Sequence, residues 1–412
     1  MKNWLLCLAF LLNSTFALAT EQVIVSGSLN STTSSTEYHT LVGGLSWNAT
    51  EINREALIPT GGAFSGLKVT TYGNAPGTGD TRIFTLRING ADSDLTCTIS
   101  GAVETSCEDI THSVAVVATD NVTIENTPTG SPDNDAVNWS LTFTPTVTQE
   151  TILIGSSGGV NVSINDDQAM HGRRGGETFY QDVQTLFPTA GTLKKLYVEL
   201  EAAPGAGNSF IFTVLDSTAT ATDVTCTIAN TATTCNDVSH TQAILAGERY
   251  NLGITGSGTP TESAAQHGIV FLTDTAGEFL ISACGDANSG ANTTQYLKIQ
   301  DGDANWRADA NAPQLASEMT IKNMYAHISN APGAGESFAL TLYQNAGDSA
   351  LTCTVADAAQ TCTAASDISV SDLDTFMTKN VTSAGIASAD PRIAYLGYID
   401  PGTPAGAPPQ IW

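Results

Sequence analysis

The chain has 412 residues, with 15 Lys and Arg against 41 Asp and Glu, which gives a formal net charge of −26 at pH 7. Such an acidic surface repels phosphate backbones and therefore excludes nucleic acid as an expected partner. Only 14% of the residues are charged, and a chain rich in Thr, Ser, Ala and Gly favours strands and turns over helices.

The segment 1–19 is predicted to be a secretory signal peptide. Lys2 supplies a positive charge, residues 4–12 form an apolar run, and Ala17-Leu18-Ala19 is a small-x-small cleavage site. No later stretch reaches the roughly 18 consecutive apolar residues that a transmembrane helix needs. We therefore expect the mature protein to be secreted or displayed at the cell surface, with no membrane span.

The remaining chain repeats one pattern three times. A Pro-Gly loop reads GNAPGTGDT, AAPGAGNSF and NAPGAGESF at residues 73–81, 202–210 and 330–338. Its proline recurs at an interval of 128 residues, which is the length of a domain rather than of a solenoid turn. The predicted boundaries are those of three repeats and a Pro/Gly-rich tail: 20–149, 150–276, 277–400 and 401–412.

Each repeat contains about eight short segments with β character. In LYVEL (196–200) and MYAHI (324–328) apolar residues alternate with others, so one face of each strand should lie in a core. Eight short strands separated by turns favour a jelly roll. The predicted fold class is all-β, with three tandem jelly-roll-like β-sandwich domains of about 128 residues each. Because no flexible linker separates them, we expect a stiff, extended row.

Three motifs that could indicate chemistry have structural explanations. The Pro-Gly loop is typical of a type II turn and lacks the lysine and helix of a phosphate-binding loop. GSSGG (155–159) matches a nucleophile elbow, but no helix is predicted after it. DGDANWRAD (301–309) spaces oxygen ligands as an EF-hand does, yet it has Trp306 in the glycine position and no closing glutamate. The sequence therefore predicts no catalytic, cofactor-binding or metal-binding residue.

Six cysteines recur in pairs, with eight or nine residues between partners. If each pair faces itself across a hairpin, the two Cα atoms come close enough for a disulfide, and an exported protein permits oxidation. The predicted disulfides are Cys97–Cys107, Cys226–Cys235 and Cys353–Cys362. Asp109, Asp237 and Asp367 recur beside the second cysteine and are interpreted as turn caps. Cys284 is left over, either as a buried free thiol or as an intermolecular bridge.

Aromatic residues provide the candidate ligand contacts. Trp47, Tyr180 and Trp306 fall in roughly corresponding segments, where they either belong to the cores or stack on a sugar ligand. Glu199 and Glu201 form a same-face carboxylate pair that could serve a glycosidase. The other repeats lack such a pair, so we interpret this one as part of an acidic surface.

The loop APGAG, the FTL and LTCT strands, the second cysteine and the following Asp together resemble a recurrent β-sandwich repeat. That repeat occurs in phage structural proteins and in environmental secreted or surface proteins. The resemblance covers all three copies and implies jelly-roll modules of a structural or attachment type, with no catalytic residue to transfer. The signal peptide departs from an ordinary virion protein and favours a bacterial surface or secreted protein.

The sequence thus predicts a secreted, non-enzymatic structural or adhesive surface protein, in one form a filament or appendage subunit. The alternative is an array of carbohydrate-binding modules. A third reading is an enzyme with a shallow carboxylate site. The expected partners are further copies of the chain or surface glycans, and no cofactor is expected.

Overall fold

A computed structural model of the chain describes residues 20–28, 31, 34–43, 46–173, 183–284, 289–299, 306–308, 314–315, 317–387 and 389–401. The predicted signal peptide, Tyr180, most of the segment 301–309 and the tail beyond residue 401 lie outside the described residues. No helix in the described part is long and apolar enough to cross a membrane.

The first repeat is a sandwich of two antiparallel sheets. Its strands are β1 (Gln22–Ser28), β2 (Glu37–His39), β3 (Ala56–Leu57), β4 (Gly62–Thr71), β5 (Thr81–Ile88), β6 (Ala91–Ser100), β7 (Ser106–Val116), β8 (Asn121–Thr129) and β9 (Val137–Pro145), with a 3-10 helix at Glu51–Arg54. One sheet has the order β1-β9-β4-β7, and the other has the order β2-β8-β5-β6 with β3 beside β8. We call the sheet that contains the first strand of a repeat its junction sheet, and the other its outer sheet.

The second repeat has the same connections. Its strands are β10 (Glu150–Ser156), β11 (Asp167–Gln168), β12 (Gly172–Arg173), β13 (Thr185–Leu186), β14 (Gly191–Leu200), β15 (Gly205–Asp216), β16 (Ala221–Asn230), β17 (Thr234–Ile244), β18 (Arg249–Ser257) and β19 (Ala265–Thr273). The junction sheet runs β12-β10-β19-β14-β17, where β12 is a short parallel addition, and the outer sheet runs β11-β18-β15-β16 with β13 beside β18.

The third repeat completes the set. Its strands are β20 (Glu278–Cys284), β21 (Thr294–Leu297), β22 (Gln314–Leu315), β23 (Met319–Ile328), β24 (Gly333–Gln344), β25 (Gly347–Asp357), β26 (Thr361–Val370), β27 (Thr375–Thr382) and β28 (Pro391–Tyr398). Its junction sheet is β20-β28-β23-β26, and its outer sheet is β21-β27-β24-β25 with β22 beside β27. Eight main strands in two four-stranded sheets with this crossed order form a jelly roll, so the predicted fold class is confirmed.

Each core lies between the two sheets of its repeat. In β6 the residues Leu95, Cys97 and Ile99 are buried and alternate with more exposed neighbours, as expected when one face of a strand packs inward. The fully buried aromatic rings include Phe84 from the outer sheet and Trp139 from the junction sheet. Their burial removes large apolar surfaces from water and holds the two sheets together.

The three jelly rolls close into a ring, because the first strand of each repeat is buried on both faces. In β1, Ile24 packs into its own core, whereas Val23 and Val25 pack into the core of the third repeat. In the same way, Ile152 and Ile154 of β10 join the core of the first repeat. Leu280 of β20 joins the core of the second repeat. The expectation of an extended row is therefore wrong, since an apolar strand face must be covered and the neighbouring repeat covers it.

Small side chains let the repeats approach one another at equivalent positions of β9, β19 and β28. Gly268 lies against the first repeat, where any Cβ would collide with the carbonyl oxygen of Leu57 and the ring of Pro59. Ser140 is the corresponding residue of β9, and its hydroxyl lies 3.0 Å from that of Ser317 in the third repeat. Ala394 of β28 is buried in the core of the second repeat. Ring closure therefore uses one small residue per repeat.

Candidate functional site

The three disulfides pair as predicted. Their Cα–Cα distances are 5.6 Å for Cys97–Cys107, 5.7 Å for Cys226–Cys235 and 5.8 Å for Cys353–Cys362. The hairpin interpretation is nevertheless wrong, because the two cysteines of a pair lie on strands of different sheets, such as β6 and β7. The chain crosses from the outer sheet to the junction sheet between these strands, so each disulfide joins the two layers of a sandwich.

The recurrent aspartate beside the second cysteine has a structural role. The Asp237 carboxylate accepts hydrogen bonds from the backbone N–H groups of Thr225, Ser239 and His240. Burial would raise the pKa of Asp237, but these bonds and the His240 ring lower it to about 2. Asp109 makes the equivalent bonds in the first repeat. Both carboxylates thus cap backbone N–H groups as expected, but they do so inside strands at a shift in pairing register rather than at a turn. The prediction is wrong for Asp367, because Ala364 occupies the equivalent position of the third repeat.

The predicted stacking aromatics do not form a ligand surface. Trp47 and Trp306 are each only 8% exposed and belong to the cores of the first and third repeats. The Trp47 ring lies 5.7 Å from the Trp139 ring, centroid to centroid. The sugar-stacking interpretation is therefore wrong for both tryptophans, and Tyr180 lies outside the described residues. Cys284 ends β20 opposite Arg392, and its side chain is not described, so both alternatives for its thiol stay predictions.

The ring has three junctions that can be compared position by position. On the junction sheets, Glu199 lies opposite Gln266, His327 opposite Arg392, and Thr70 opposite Asn138. A residue of the neighbouring outer sheet faces each pair, namely Asn121, Arg249 or Thr375. We call the junctions 1–2, 2–3 and 3–1 after the repeats that meet there.

Long polar side chains fill junction 1–2. The Asn121 amide donates to the Glu199 carboxylate at 2.9 Å, and the Gln266 amide donates to the carbonyl oxygen of Ile52 at 2.8 Å. Below them, Glu150 is only 1% exposed in its side chain and pairs with Lys194 and Lys195 at 2.8 Å and 2.7 Å. The two amide bonds cross from the second repeat to the first, and so does the bond that the Thr60 hydroxyl donates to Glu150 at 2.5 Å. The Glu150–lysine pairs lie within the second repeat, and together these side chains fill the junction.

Junction 2–3 is filled by cations and a histidine. A guanidinium nitrogen of Arg249 lies 3.2 Å from Nδ1 of His327, and Arg392 pairs with Asp390 at 3.1 Å. Burial, with help from the charges of Arg249 and Arg392, lowers the pKa of His327 to about 4. The ring is therefore neutral at pH 7, and Nδ1 can accept the hydrogen bond from Arg249.

Junction 3–1 has short side chains at the same three positions, Thr70, Asn138 and Thr375, and it remains open. The space forms a cleft of about 290 Å³. Its lining is completed by residues of the first and third repeats: Thr71, Tyr72, Tyr343, Asn345 and Ala346. This cleft is the candidate functional site, since the other two junctions fill the corresponding space.

Two tyrosines line the cleft, one from each repeat. Tyr72 follows β4 and is 41% exposed. Tyr343 lies on β24, half-buried, with its ring centroid 5.1 Å from that of Tyr296. Lys379 lies 5.7 Å from the centre of the Tyr343 ring and forms an ion pair with Asp348 at 2.7 Å. The tyrosine rings thus give the cleft apolar faces beside a neutralised charge pair.

One buried amide in the cleft lacks a partner. Asn138 is 0% exposed, and neither its Nδ2 nor its Oδ1 forms a hydrogen bond within the described structure. The neighbouring polar groups are already engaged. The Tyr343 hydroxyl donates to the carbonyl oxygen of Ala346 at 2.8 Å, and the Asn345 amide donates to Asp374 at 2.7 Å. The walls are therefore held in place, and the Asn138 amide lies beneath the floor of the cleft, closed to solvent and without a partner.

Carboxylates gather at junction 1–2, including the pair singled out in the sequence. Burial, and then the charges of Glu51, Glu199 and Glu201, raise the pKa of Glu55 to about 7. Glu199 already accepts a hydrogen bond from Asn121. No group of three His, Cys, Asp or Glu residues in the described ranges is placed to hold a metal ion.

Comparison with known proteins adds no family. No family model matches the chain, and no curated protein is significantly similar to it. The resemblance to phage and environmental surface proteins therefore depends on the loop and strand motifs alone.

Sequence reasoning did not find Tyr72, Asn138 and Tyr343. All three differ from their counterparts in the other repeats. Tyr72, for example, corresponds to Glu201. The two positions match because each backbone N–H donates to the carbonyl oxygen of the residue just before the last strand of its repeat. The available signal was therefore divergence between aligned copies, whereas the predictions were drawn from residues that the copies share.

Proposed function

We propose that the protein is an exported, non-enzymatic adhesive protein that binds its ligand in the junction 3–1 cleft. The observation that carries the proposal is that one of three equivalent junctions is open, lined by tyrosines and floored by an unpartnered amide. Ligand sites are commonly concave, aromatic-lined and supplied with a few polar groups. Three disulfides support an oxidising, extracellular-type environment.

Ring closure favours an adhesive role over that of a filament subunit. The apolar outer face of each first strand is already covered by a neighbouring repeat of the same chain. Growth of an open-ended filament needs a heterologous face that stays available for the next subunit. In the described part of the chain, the apolar outer faces of the first strands are all covered by repeats of the same chain, so they do not serve a second subunit.

The carboxylate-enzyme reading has less support. Its first residue, Glu199, is held by Asn121 across junction 1–2, so it contributes to packing between repeats. A glycosidase needs two carboxyl groups facing one sugar bond, and Glu199 is committed elsewhere.

The test compares residues 20–412 with a variant in which the cleft is closed. Thr70→Glu with Thr375→Asn copies the Glu199–Asn121 pair of junction 1–2 into junction 3–1. We expect the unaltered protein to adhere to immobilised bacterial cells or extracellular polysaccharide, and the double variant to lose that adhesion. Equal adhesion by both proteins, with matching circular dichroism, would contradict a role for the cleft, and filaments in electron micrographs would contradict the adhesive reading.

A further inference from the structure

We propose that the junction 3–1 cleft is a subsite for a short neutral saccharide, with one site in each chain. This inference rests on the proposed adhesive function and names the ligand class for the same cleft. It differs from the sequence-based alternative of a module array, which predicts an equivalent site in every repeat.

The two tyrosines supply the contacts that a sugar ring needs. A pyranose presents C–H groups on its faces and hydroxyls around its rim, so it packs on an aromatic ring while its rim stays hydrogen-bonded. Tyrosine suits this role because its body is apolar and its hydroxyl end is polar. Tyr72 and Tyr343 come from different repeats, so the ligand would bridge the first and third jelly rolls.

The charge distribution favours a neutral ligand. None of the eight residues that line the cleft is Asp, Glu, Lys or Arg. The chain as a whole carries a net charge of −26, which repels uronic acids, sialic acids and sulfated sugars. Lys379 beside Tyr343 is already paired with Asp348, so it offers little to an anion.

Asn138 gives the floor of the cleft a specific polar partner. A primary amide has both donor and acceptor capacity, and a sugar hydroxyl can donate and accept at once. A buried polar group without a partner costs about 1–3 kcal/mol. Because the amide is closed to solvent, a ligand hydroxyl reaches it only when the Asn138 side chain turns towards the cleft, and that contact would remove this penalty in the bound state.

The wall of the cleft is organised before the ligand arrives. The Thr71 hydroxyl donates to the carbonyl oxygen of Asn74 at 2.8 Å, and the backbone N–H of Thr375 donates to Asn345 Oδ1 at 2.9 Å. A binding site whose groups are already ordered loses less conformational entropy on binding. A short, uncharged ligand with few contacts can therefore still be retained.

The other junctions lack this combination. Tyr72 corresponds to Glu201 and Ser329, and Tyr343 corresponds by strand register to Leu215 and Arg87. Both junctions are also filled by the hydrogen-bonded side chains described above. Within the described residues, junction 3–1 is the one that has tyrosines at both of these positions.

Isothermal titration calorimetry on residues 20–412 tests the inference. The probes are neutral disaccharides of glucose, galactose, mannose and N-acetylglucosamine. We expect at least one to bind with a stoichiometry of one per chain. Tyr72→Ala and Tyr343→Ala should each weaken binding about tenfold, while Tyr72→Phe retains most of it. Glu201→Ala and Leu215→Ala are matched controls at the same positions of the second repeat and should leave affinity unchanged.

The outcomes separate this inference from the proposed function. Three sites per chain, or affinity that is unchanged in both tyrosine variants, would overturn the single-saccharide subsite. If adhesion is abolished by Thr70→Glu with Thr375→Asn while no neutral disaccharide binds, the saccharide inference fails and the adhesive function stands. If the protein adheres to nothing and binds no disaccharide, both fail.

Discussion

Junctions 1–2 and 3–1 have the same backbone arrangement, but side chains fill the first, whereas the second holds a cleft. At junction 1–2, Glu199 and Gln266 reach across to the first repeat and donate or accept hydrogen bonds there. At junction 3–1, Thr70 and Asn138 occupy the matching positions and are too short to do so. The difference of one or two side-chain carbons at each position decides whether a junction is sealed or holds a cleft.

This contrast separates what builds the fold from what builds the site. The disulfides, turn glycines and core residues recur in all three repeats, and each is explained by folding. The tyrosines and the short side chains of the cleft are positions where one repeat departs from the others, whereas Asn345 has an equivalent in Asn89. Duplication thus supplied three equivalent junctions, and divergence at a few positions is sufficient to make one of them different.

The largest effect on the free energy of unfolding is expected where two repeats touch most closely. Gly268→Leu should lower the free energy of unfolding by about 3 kcal/mol, because the new side chain meets the backbone of Leu57 and the ring of Pro59 in a packed junction. Ser140→Ala is the matched change at junction 3–1 and removes one hydroxyl contact, with a loss of about 1 kcal/mol. Urea denaturation followed by fluorescence measures both, and equal losses would mean that the two junctions are packed alike.

The disulfides should behave alike in every repeat. Replacing Cys226 and Cys235 together by serine should cost about 2.5 kcal/mol, because each closed loop is short. The same change at Cys353 and Cys362 should give a similar loss, since the loop has the same length. Thermal unfolding measures both; a loss confined to one repeat would show that these crosslinks are not equivalent. Non-reducing peptide mapping checks the three pairings directly.

Removing the side chains that fill junction 1–2 should have a smaller effect on stability. Asn121→Thr with Glu199→Thr copies two residues of junction 3–1 and removes one side-chain hydrogen bond, so we expect a loss of about 1 kcal/mol. No second saccharide site should appear, because Glu201 and Arg87 stand at junction 1–2 where the cleft has tyrosines. Calorimetric titration that gives two sites per chain would show that open space alone is sufficient for binding.

The smallest effect should be a pH dependence that is specific to junction 1–2. Burial, then neighbouring carboxylates, raise the pKa of Glu55 from its ordinary value of 4.5 to about 7. The folded state therefore holds a proton that the unfolded state has lost, so the contribution of Glu55 to stability falls as pH rises between these values. Glu55→Gln should remove that component. Urea midpoints at pH 5 and 7.5 measure it; an identical pH dependence in the variant would contradict the raised pKa.

Much of the architecture could be predicted from the sequence, because a pattern that is weak in one repeat becomes informative when it recurs in the others. The all-β class follows from period-two alternation, as in LYVEL, and the cysteine pairs follow from their repeated spacing. The ring could not be predicted from these patterns, since Val23 and Ile152 belong to short apolar segments that do not show which molecule or repeat covers their second face. The sheet assignment of the cysteines was missed because a crossing between layers and a hairpin can bring two residues equally close.

The candidate site was less accessible to sequence reasoning. Trp47 and Trp306 were the natural choice for a sugar platform, but large aromatic residues in strands are mostly buried. Tyr72 and Tyr343 are 271 residues apart, and only ring closure brings their repeats together. Asn138 carries no motif, and its significance depends on the absence of a partner in the folded chain.

Ring closure between the first and third repeats is the central claim, and small-angle X-ray scattering of monomeric residues 20–412 tests it most directly. A closed ring of three jelly rolls should have a radius of gyration near that of a compact chain of this length, about 21 Å. The same three domains in an extended row would exceed about 30 Å. A value near the first number supports contacts such as Ser140–Ser317, and a value above the second would contradict them.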